Sequence, residues 1–316
     1  VNVIVEREKG LIQLEQRIDE LKEQAAQQPV DMTAEIRALE AKYAEIQREI
    51  FGRMTPWQRV NMARHPKRPI GSDYIAGLDQ FDELHGDRHF RDDHAIVGGF
   101  AKLNGRRIIA IAQDKGRDTK EKVYRNFGMA SPEGYRKVLR LVQLADHLGL
   151  PVVTFVDTSG ADPGIGSEER AQSEAIAQSL YELAEARVPL VASIVGEGGS
   201  GGALALALAD HVLILQHSVY SVASPEGAAA ILWGDAARAE EAATRLKLTS
   251  DDLLTFGIVD EVIPEPIGGA HRDAAGTIAR VLDAVDRALD ALIPIPSAEL
   301  RDRRYAKFRR IGAASP

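Results

Sequence analysis

The chain has 316 residues, is 45% hydrophobic, carries a net charge of −8 and contains no cysteine. That length supports one large domain with an appendage, or two domains, and the acidic balance argues against a nucleic-acid binder. No apolar run is long enough to span a membrane, the N-terminus lacks a signal-peptide core, and disulfides, thiol nucleophiles and cysteine-ligated zinc are excluded.

The eight histidines show no tight metal spacing, so no metal is expected, and the chain reads as cytoplasmic. Leu11, Leu14, Ile18 and Leu21 step by three and four, as do Ile36, Leu39, Tyr43, Ile46 and Ile50. Pro29 is a stop between them, and Asp31 and Thr33 are two available caps. Residues 1–52 are therefore expected to form a helical hairpin that packs on the main body or a partner. Residues 53–70 hold Arg53, Arg59, Arg64, Lys67 and Arg68 without an acid, and Pro56, Pro66 and Pro69. This is a basic connector with short helical pieces, and both an anionic ligand and plain solvation remain open for it.

From residue 71 to 292 the pattern is α/β. Residues 95–103 and 107–112 flank Asn104-Gly105, a hairpin signal. A polar loop follows, with Lys115, Arg117, Lys120 and Lys122 as a second candidate anion-binding cluster. Ser131-Pro-Glu-Gly134 starts a helix with Ser as cap and Pro at its first position. Residues 151–156 form a buried strand, and a helix is expected from about 168 to 186. A strand at 188–195, a glycine turn, a helix from 203 and strands at 211–215 and 218–223 follow. A second Ser-Pro-Glu-Gly box starts at Ser224. Continuous apolar runs predict a sheet covered on both faces. Beyond 236 the chain is expected to be mainly helical. Residues 293–316 form a basic tail for solvation or docking, with Arg301, Arg303, Arg304, Lys307, Arg309 and Arg310.

The stretch Val195-Gly-Glu-Gly-Gly-Ser-Gly-Gly-Ala203 carries the chemistry. A strand feeding glycines and then a helix N-terminus aims several backbone N–H groups at one spot. No Lys follows, so the turn is unlike a phosphate cradle. Taken alone it fits a tight packing turn, a G-x-S-x-G nucleophile elbow at Ser200, or an oxyanion hole of bare N–H groups. An elbow needs an acid and then a histidine. Asp260 and His271 have that order but no supporting pattern, which disfavours a serine hydrolase. The loop Asp157-Thr-Ser-Gly-Ala-Asp-Pro-Gly164 leaves the neighbouring strand at its carboxyl end, where α/β proteins bind ligands. Together the two loops predict a cleft lined by backbone.

Several segments carry a family resemblance. They include Phe81-Asp-Glu-Leu-His-Gly-Asp-Arg88, Asn126-Phe-Gly-Met129, Pro132-Glu-Gly-Tyr-Arg-Lys137, Gly196 to Leu204, Ser224-Pro-Glu-Gly227 and Pro264-Glu-Pro-Ile-Gly-Gly-Ala-His-Arg272. With them the chain resembles the alpha-subunit family of the bacterial and plastid acetyl-CoA carboxylase carboxyltransferase, over essentially its whole length.

The resemblance implies a crotonase-like (ClpP/crotonase) fold of stacked ββα units. It implies transfer of a carboxyl group from carboxybiotin, held on a biotin carboxyl carrier protein that biotin carboxylase loads, to acetyl-CoA, giving malonyl-CoA. It further implies an α2β2 assembly whose beta subunit brings the second oxyanion hole and a four-cysteine zinc ribbon. The family's donors for the biotin ureido oxygen fall on Gly201 and Gly202, and the ureido nitrogen serves as base. Gly198, Gly199, Gly160, Ala161, Gly164 and Ser224 are the accompanying candidate substrate contacts. Ser159 and Asp162 depart from the family's usual proline and aromatic, and a carboxylate at Asp162 should point to solvent or pair with a base. Two alternatives stand beside this reading: another acyl-CoA such as propionyl-CoA, and a non-catalytic scaffold.

Overall fold

The computed structural model describes residues 2–27 and 31–312. Two helices, α1 (Val3–Gln27) and α2 (Thr33–Phe51), form the N-terminal hairpin and pack on each other. The Asp31 carboxylate accepts from the Thr33 N–H at 3.0 Å, while Pro29, the expected stop, lies outside the described residues. Ile4, Leu11, Ile18 and Leu21 are the buried stripe of α1. Ile4, Leu11 and Phe51 meet Met62 of α3 (Pro56–Ala63), so the arm is bound to the body through the connector.

The body is an eight-stranded mixed sheet whose strands lie in the order 80–83, 96–103, 106–113, 152–158, 190–199, 211–215 and 261–263, with 219–221 paired to 190–199. After α4 (Gly71–Ala76), β1 (Gln80–Glu83), β2 (Ile96–Leu103) and β3 (Arg106–Gln113) form an antiparallel edge. Asn104 and Gly105 turn the β2–β3 hairpin with φ of 48° and 76°, as its sequence requires. The polar loop after β3 contains a short helix, α5 (Thr119–Tyr124), absent from the sequence reading; Asp118 caps it.

The central strands are parallel: β4 (Val152–Thr158), β5 (Leu190–Gly199), β6 (His211–Leu215) and, at the far edge, β8 (Glu261–Ile263). Between them come α6 (Pro132–Leu148), α7 (Ile165–Glu169), α8 (Gln172–Glu185), α9 (Ser200–Ala207), β7 (Val219–Ser221), α10 (Pro225–Trp233), α11 (Ala239–Leu246) and α12 (Ser250–Thr255). The single helix expected from 168 to 186 is two helices, broken where Ala171 takes φ 64°. β1 and β8 were not expected, since four- and three-residue strands are too short for a period to register. α13 (Ala274–Leu292) and α14 (Ser297–Arg310) complete the chain.

Strand residues alternate between two cores. Ile109, Ile111, Val152, Leu190, Ala192 and Ile194 pack under α6, α8 and α9. Ile108, Ala110, Val153, Phe155, Val191 and Val195 pack under α4 and α13. Burial on both faces is why these strands read as unbroken apolar runs. No helix among the described residues is long and apolar enough to cross a membrane.

Candidate active site

β5 changes partner along its length. Val191–Ile194 pair with β6, and Glu197–Gly199 pair with β7 while Gly198 also pairs with Thr158 of β4. The first glycines are therefore strand, not turn, and the chain reverses only at Ser200. That residue sits at φ 53°, a left-handed conformation that costs a non-glycine residue roughly 1 kcal/mol or more. α9 begins there.

The glycines are tight for different reasons. A Cβ on Gly199 would lie 2.1 Å from the Ser159 carbonyl oxygen, and one on Gly202 would lie 2.6 Å from the Ala161 nitrogen and from the Gly160 carbonyl carbon. These residues let the two strand-exit loops touch backbone to backbone, as the sequence predicts. Gly196 is closed by Asp157, and Gly198 by Tyr220. At Gly201 the nearest atoms are Ile176 methyls at 3.7 and 3.8 Å, ordinary van der Waals contact, so a Cβ would fit there without a clash. The N–H groups of Gly201 and Gly202 donate to no group among the described residues. Two unspent donors at a helix N-terminus and at the carboxyl end of the sheet make an anion-stabilising spot.

The second loop is held from below. Gln172 Nε2 donates to the carbonyls of Ala130 and Asp162 at 2.9 and 3.0 Å, and Thr158 Oγ1 donates to the Gly160 carbonyl at 2.7 Å. Gly160 has φ 153°, which only glycine adopts without strain. Among the described residues Asp162 pairs with no base. Its carboxylate accepts from Ser167 Oγ at 2.5 Å and the Gly164 N–H at 3.2 Å, beside the start of α7. It also borders a polar cavity of about 540 Å³ with Ser131, Asn126 and Arg91.

The basic candidates divide. Arg64, Arg68, Lys115 and Lys122 line one cavity of about 230 Å³ beside Ser159. Three of them are already matched. Arg64 binds Glu197 and Glu226 at 2.6 Å each, Lys115 binds Asp157 at 2.7 Å, and Arg68 binds Glu265 at 2.6 Å and donates to the Val195 carbonyl at 2.7 Å. Burial opposes ionisation of Glu197, but Lys115 and Arg64 outweigh it and hold the carboxyl below its ordinary range. Arg117 pairs with Asp73. Lys67, Lys120 and Lys122 have no ion pair among the described residues.

The two Ser-Pro-Glu-Gly boxes differ. Ser224 Oγ accepts from the Gly227 N–H at 3.1 Å and caps α10. Ser131 does not cap; its hydroxyl donates to Asp93 at 2.7 Å and Glu133 at 2.9 Å. Ser200 lacks the partners of a nucleophile. Asp260 accepts from the Val212 N–H at the opposite end of the sheet and binds Lys307, and His271 is hydrogen-bonded to Glu8 at 2.9 Å. His271 stacks on His65 at 3.7 Å, with Glu8 bridging both rings. Two imidazoles on one tetrahedral ion have centroids roughly 5 Å apart. Face-to-face rings therefore suit a shared proton network better than a metal centre.

A sequence model of the family described as acetyl co-enzyme A carboxylase carboxyltransferase-like matches residues 4–312. The chain belongs to this family. It is 50% identical over 314 residues to an acetyl-coenzyme A carboxylase carboxyl transferase subunit alpha of Neisseria gonorrhoeae, covering 99% of both chains. It is 52% identical over 305 residues to one of Syntrophotalea carbinolica, covering 96% of each. Among solved structures it resembles the transcarboxylase 12S core (TM-score 0.56, 24% identity, 69% of this chain and 40% of that one). It also resembles a Pseudomonas malonate decarboxylase hetero-dimer (TM-score 0.55, 21% identity, 68% and 88%). These likenesses show the α/β, crotonase-like fold, and the family is one of biotin-dependent carboxyltransferases.

Gln113, Tyr135 and Gln172 border the candidate site and were not singled out from the sequence. Gln113 reaches Gly202 from β3 and Tyr135 reaches it from α6, contacts that only the fold makes, and Gln172 joins Asp162 to Ala130.

Proposed function

We propose that the chain is the alpha subunit of an acetyl-CoA carboxylase carboxyltransferase. It moves a carboxyl group from carboxybiotin, on its carrier protein, to acetyl-CoA, and forms malonyl-CoA for fatty acid synthesis in the cytoplasm. The observation that carries this reading is identity of 50% across 99% of the chain to alpha subunits of that enzyme. The unspent N–H pair at Gly201 and Gly202 supplies a matching chemistry.

The site suits a carboxylated ureido group. Its donors are neutral amides, and the nearby cations are matched by Glu197, Asp157 and Glu226. When bound, carboxybiotin supplies the carboxyl group to be moved. The chain's part is to hold the charge that builds on the ureido oxygen. Donors fixed in advance stabilise that charge more than they stabilise the ground state. Gly199 and Gly202 meet Ser159, Gly160 and Ala161 backbone to backbone and so keep the two loops in contact around those donors, with Gly198, Gly164 and Ser224 as further candidate contacts. Lys122 borders the cavity without an ion pair, which makes it the basic candidate best suited to an anionic part of a substrate.

One pair of donors serves one oxyanion, so the thioester oxygen needs a second set from a beta subunit in an α2β2 assembly. Val222, Ile231 and Leu232 are 78%, 81% and 63% exposed around α10, whose Glu226 reaches Arg64 at the cavity. That apolar surface beside the cleft supports a partner there. The test is reconstitution. The purified chain should show no carboxyl transfer alone and gain it with the beta subunit. Robust malonyl-CoA decarboxylation by the chain by itself would overturn the reading.

A further inference from the structure

Gly201 and Gly202 pose a mechanical problem. Adjacent glycines are the most flexible pair a chain can offer, and an oxyanion hole works only if its donors are fixed beforehand. α9 has no side-chain cap. The Cβ position of Gly201 touches nothing closer than 3.7 Å. Something outside the helix must set its first turn.

One side chain is placed to do so. Gln113 Nε2 donates to the Gly202 carbonyl at 2.8 Å in a fully buried contact between residues 89 apart in sequence. Gln113 is itself held firmly. It ends β3, pairs with Ile96 across the hairpin, is 0% exposed, and its carbonyl lies 2.1 Å from where a Cβ on Gly71 would stand. Its other amide atom, Oε1, is buried with no partner among the described residues. The Tyr135 hydroxyl, 2.9 Å from the Cβ position of Gly202, is also unpartnered. A buried unpaired amide oxygen is destabilising, and an apolar residue would fill this place more cheaply. The amide cannot turn round, because Oε1 would then oppose the Gly202 carbonyl oxygen.

We infer that Gln113 is a positioning residue for the oxyanion donors: by holding the Gly202 carbonyl it fixes the Gly202–Ala203 peptide plane, and with it the first turn of α9 from which the Gly201 and Gly202 N–H groups project. The inference rests on the proposed role of those N–H groups. Gln113 does not touch substrate, so it acts on turnover and not on substrate affinity.

The experiment uses the assembled alpha–beta enzyme with acetyl-CoA and carboxylated carrier. Gln113→Leu keeps the volume and removes the donor. Outer partners of this kind are worth about 10- to 100-fold. kcat should fall by that factor while KM for acetyl-CoA and the thermal midpoint stay near wild type. Gln113→Glu donates only when protonated. Its kcat should recover reversibly as pH is lowered, at constant circular dichroism, along a limb that wild type lacks. If Gln113→Leu fails to fold, that acid limb decides. Wild-type kcat in Gln113→Leu, or a Gln113→Glu profile parallel to wild type, would overturn the inference alone. An inactive wild-type assembly, or an active one indifferent to substitution at Gly201, would overturn the functional reading beneath it.

Discussion

Gly201 and Gly202 are neighbours with different constraints. Gly202 is pressed against the Gly160–Ala161 backbone at 2.6 Å, so Gly202→Ala must push two loops apart. It should lower stability and cut turnover about 100- to 1000-fold, the usual cost of a lost oxyanion donor. Gly201→Ala has room and should leave the thermal midpoint unchanged while turnover falls; equal activity in both assays would show that nothing binds there. Ser200, left-handed at φ 53°, should tolerate glycine. Ser200→Gly should be neutral or stabilising by up to about 1 kcal/mol. Its activity should stay within a few-fold of wild type, and a fluorophosphonate should not label the wild-type serine. Covalent labelling with matched loss of activity would restore the hydrolase reading. The glycine run was legible because its information is local: strand, small residues, helix. Gln113 was not, because its partner lies 89 residues away.

The N-terminal hairpin was legible from its period, but its fastening was not. Glu8, His65 and His271 come from α1, the end of α3 and the loop before α13, and only the fold brings them together. Burial pushes the Glu8 carboxyl up, and hydrogen bonds from His271 and His65 overcome this and bring it down to about 2. Burial lowers His271, and the Glu8 bond restores only part of the shift, with Arg272 adding to the depression. Both shifts have the same sign. Below about pH 6.5 the unfolded chain takes up a proton that the folded His271 resists, and between 4.5 and about 2 the same holds for Glu8. Stability should therefore fall as pH drops, beginning below about 6.5. Thermal midpoints from pH 8 to 2, with hydrogen exchange along α1, provide the measurement. Glu8→Gln should flatten the lower part of the curve, and an unaltered slope would mean the cluster is not what titrates.

At the scale of the whole molecule, the basic tail proved to be partly interior. Six cations along one helix gave no sign which would turn inward. Arg304 is 1% exposed and binds both oxygens of Asp210, at 2.9 and 2.8 Å, and the carbonyls of Leu183, Ala186 and Val188. It ties the end of α8, the start of β5 and the approach to β6 together, at the sheet end opposite the candidate site. Arg304→Ala strands the buried Asp210 carboxylate and should cost about 3–5 kcal/mol in urea unfolding. A loss under about 1 kcal/mol would show that solvent replaces the arginine.

The room for a Cβ at Gly201 has a consequence in genetics. A folding defect removes a subunit from the cell, whereas a defect confined to ligand space leaves a sound subunit that still occupies its partners. Gly202 variants should therefore behave as recessive losses. Gly201 variants should accumulate normally, enter assemblies beside wild-type copies and silence the sites they occupy. A heterozygous strain would carry a dominant defect from the one glycine in this run whose missing side chain the protein itself does not need.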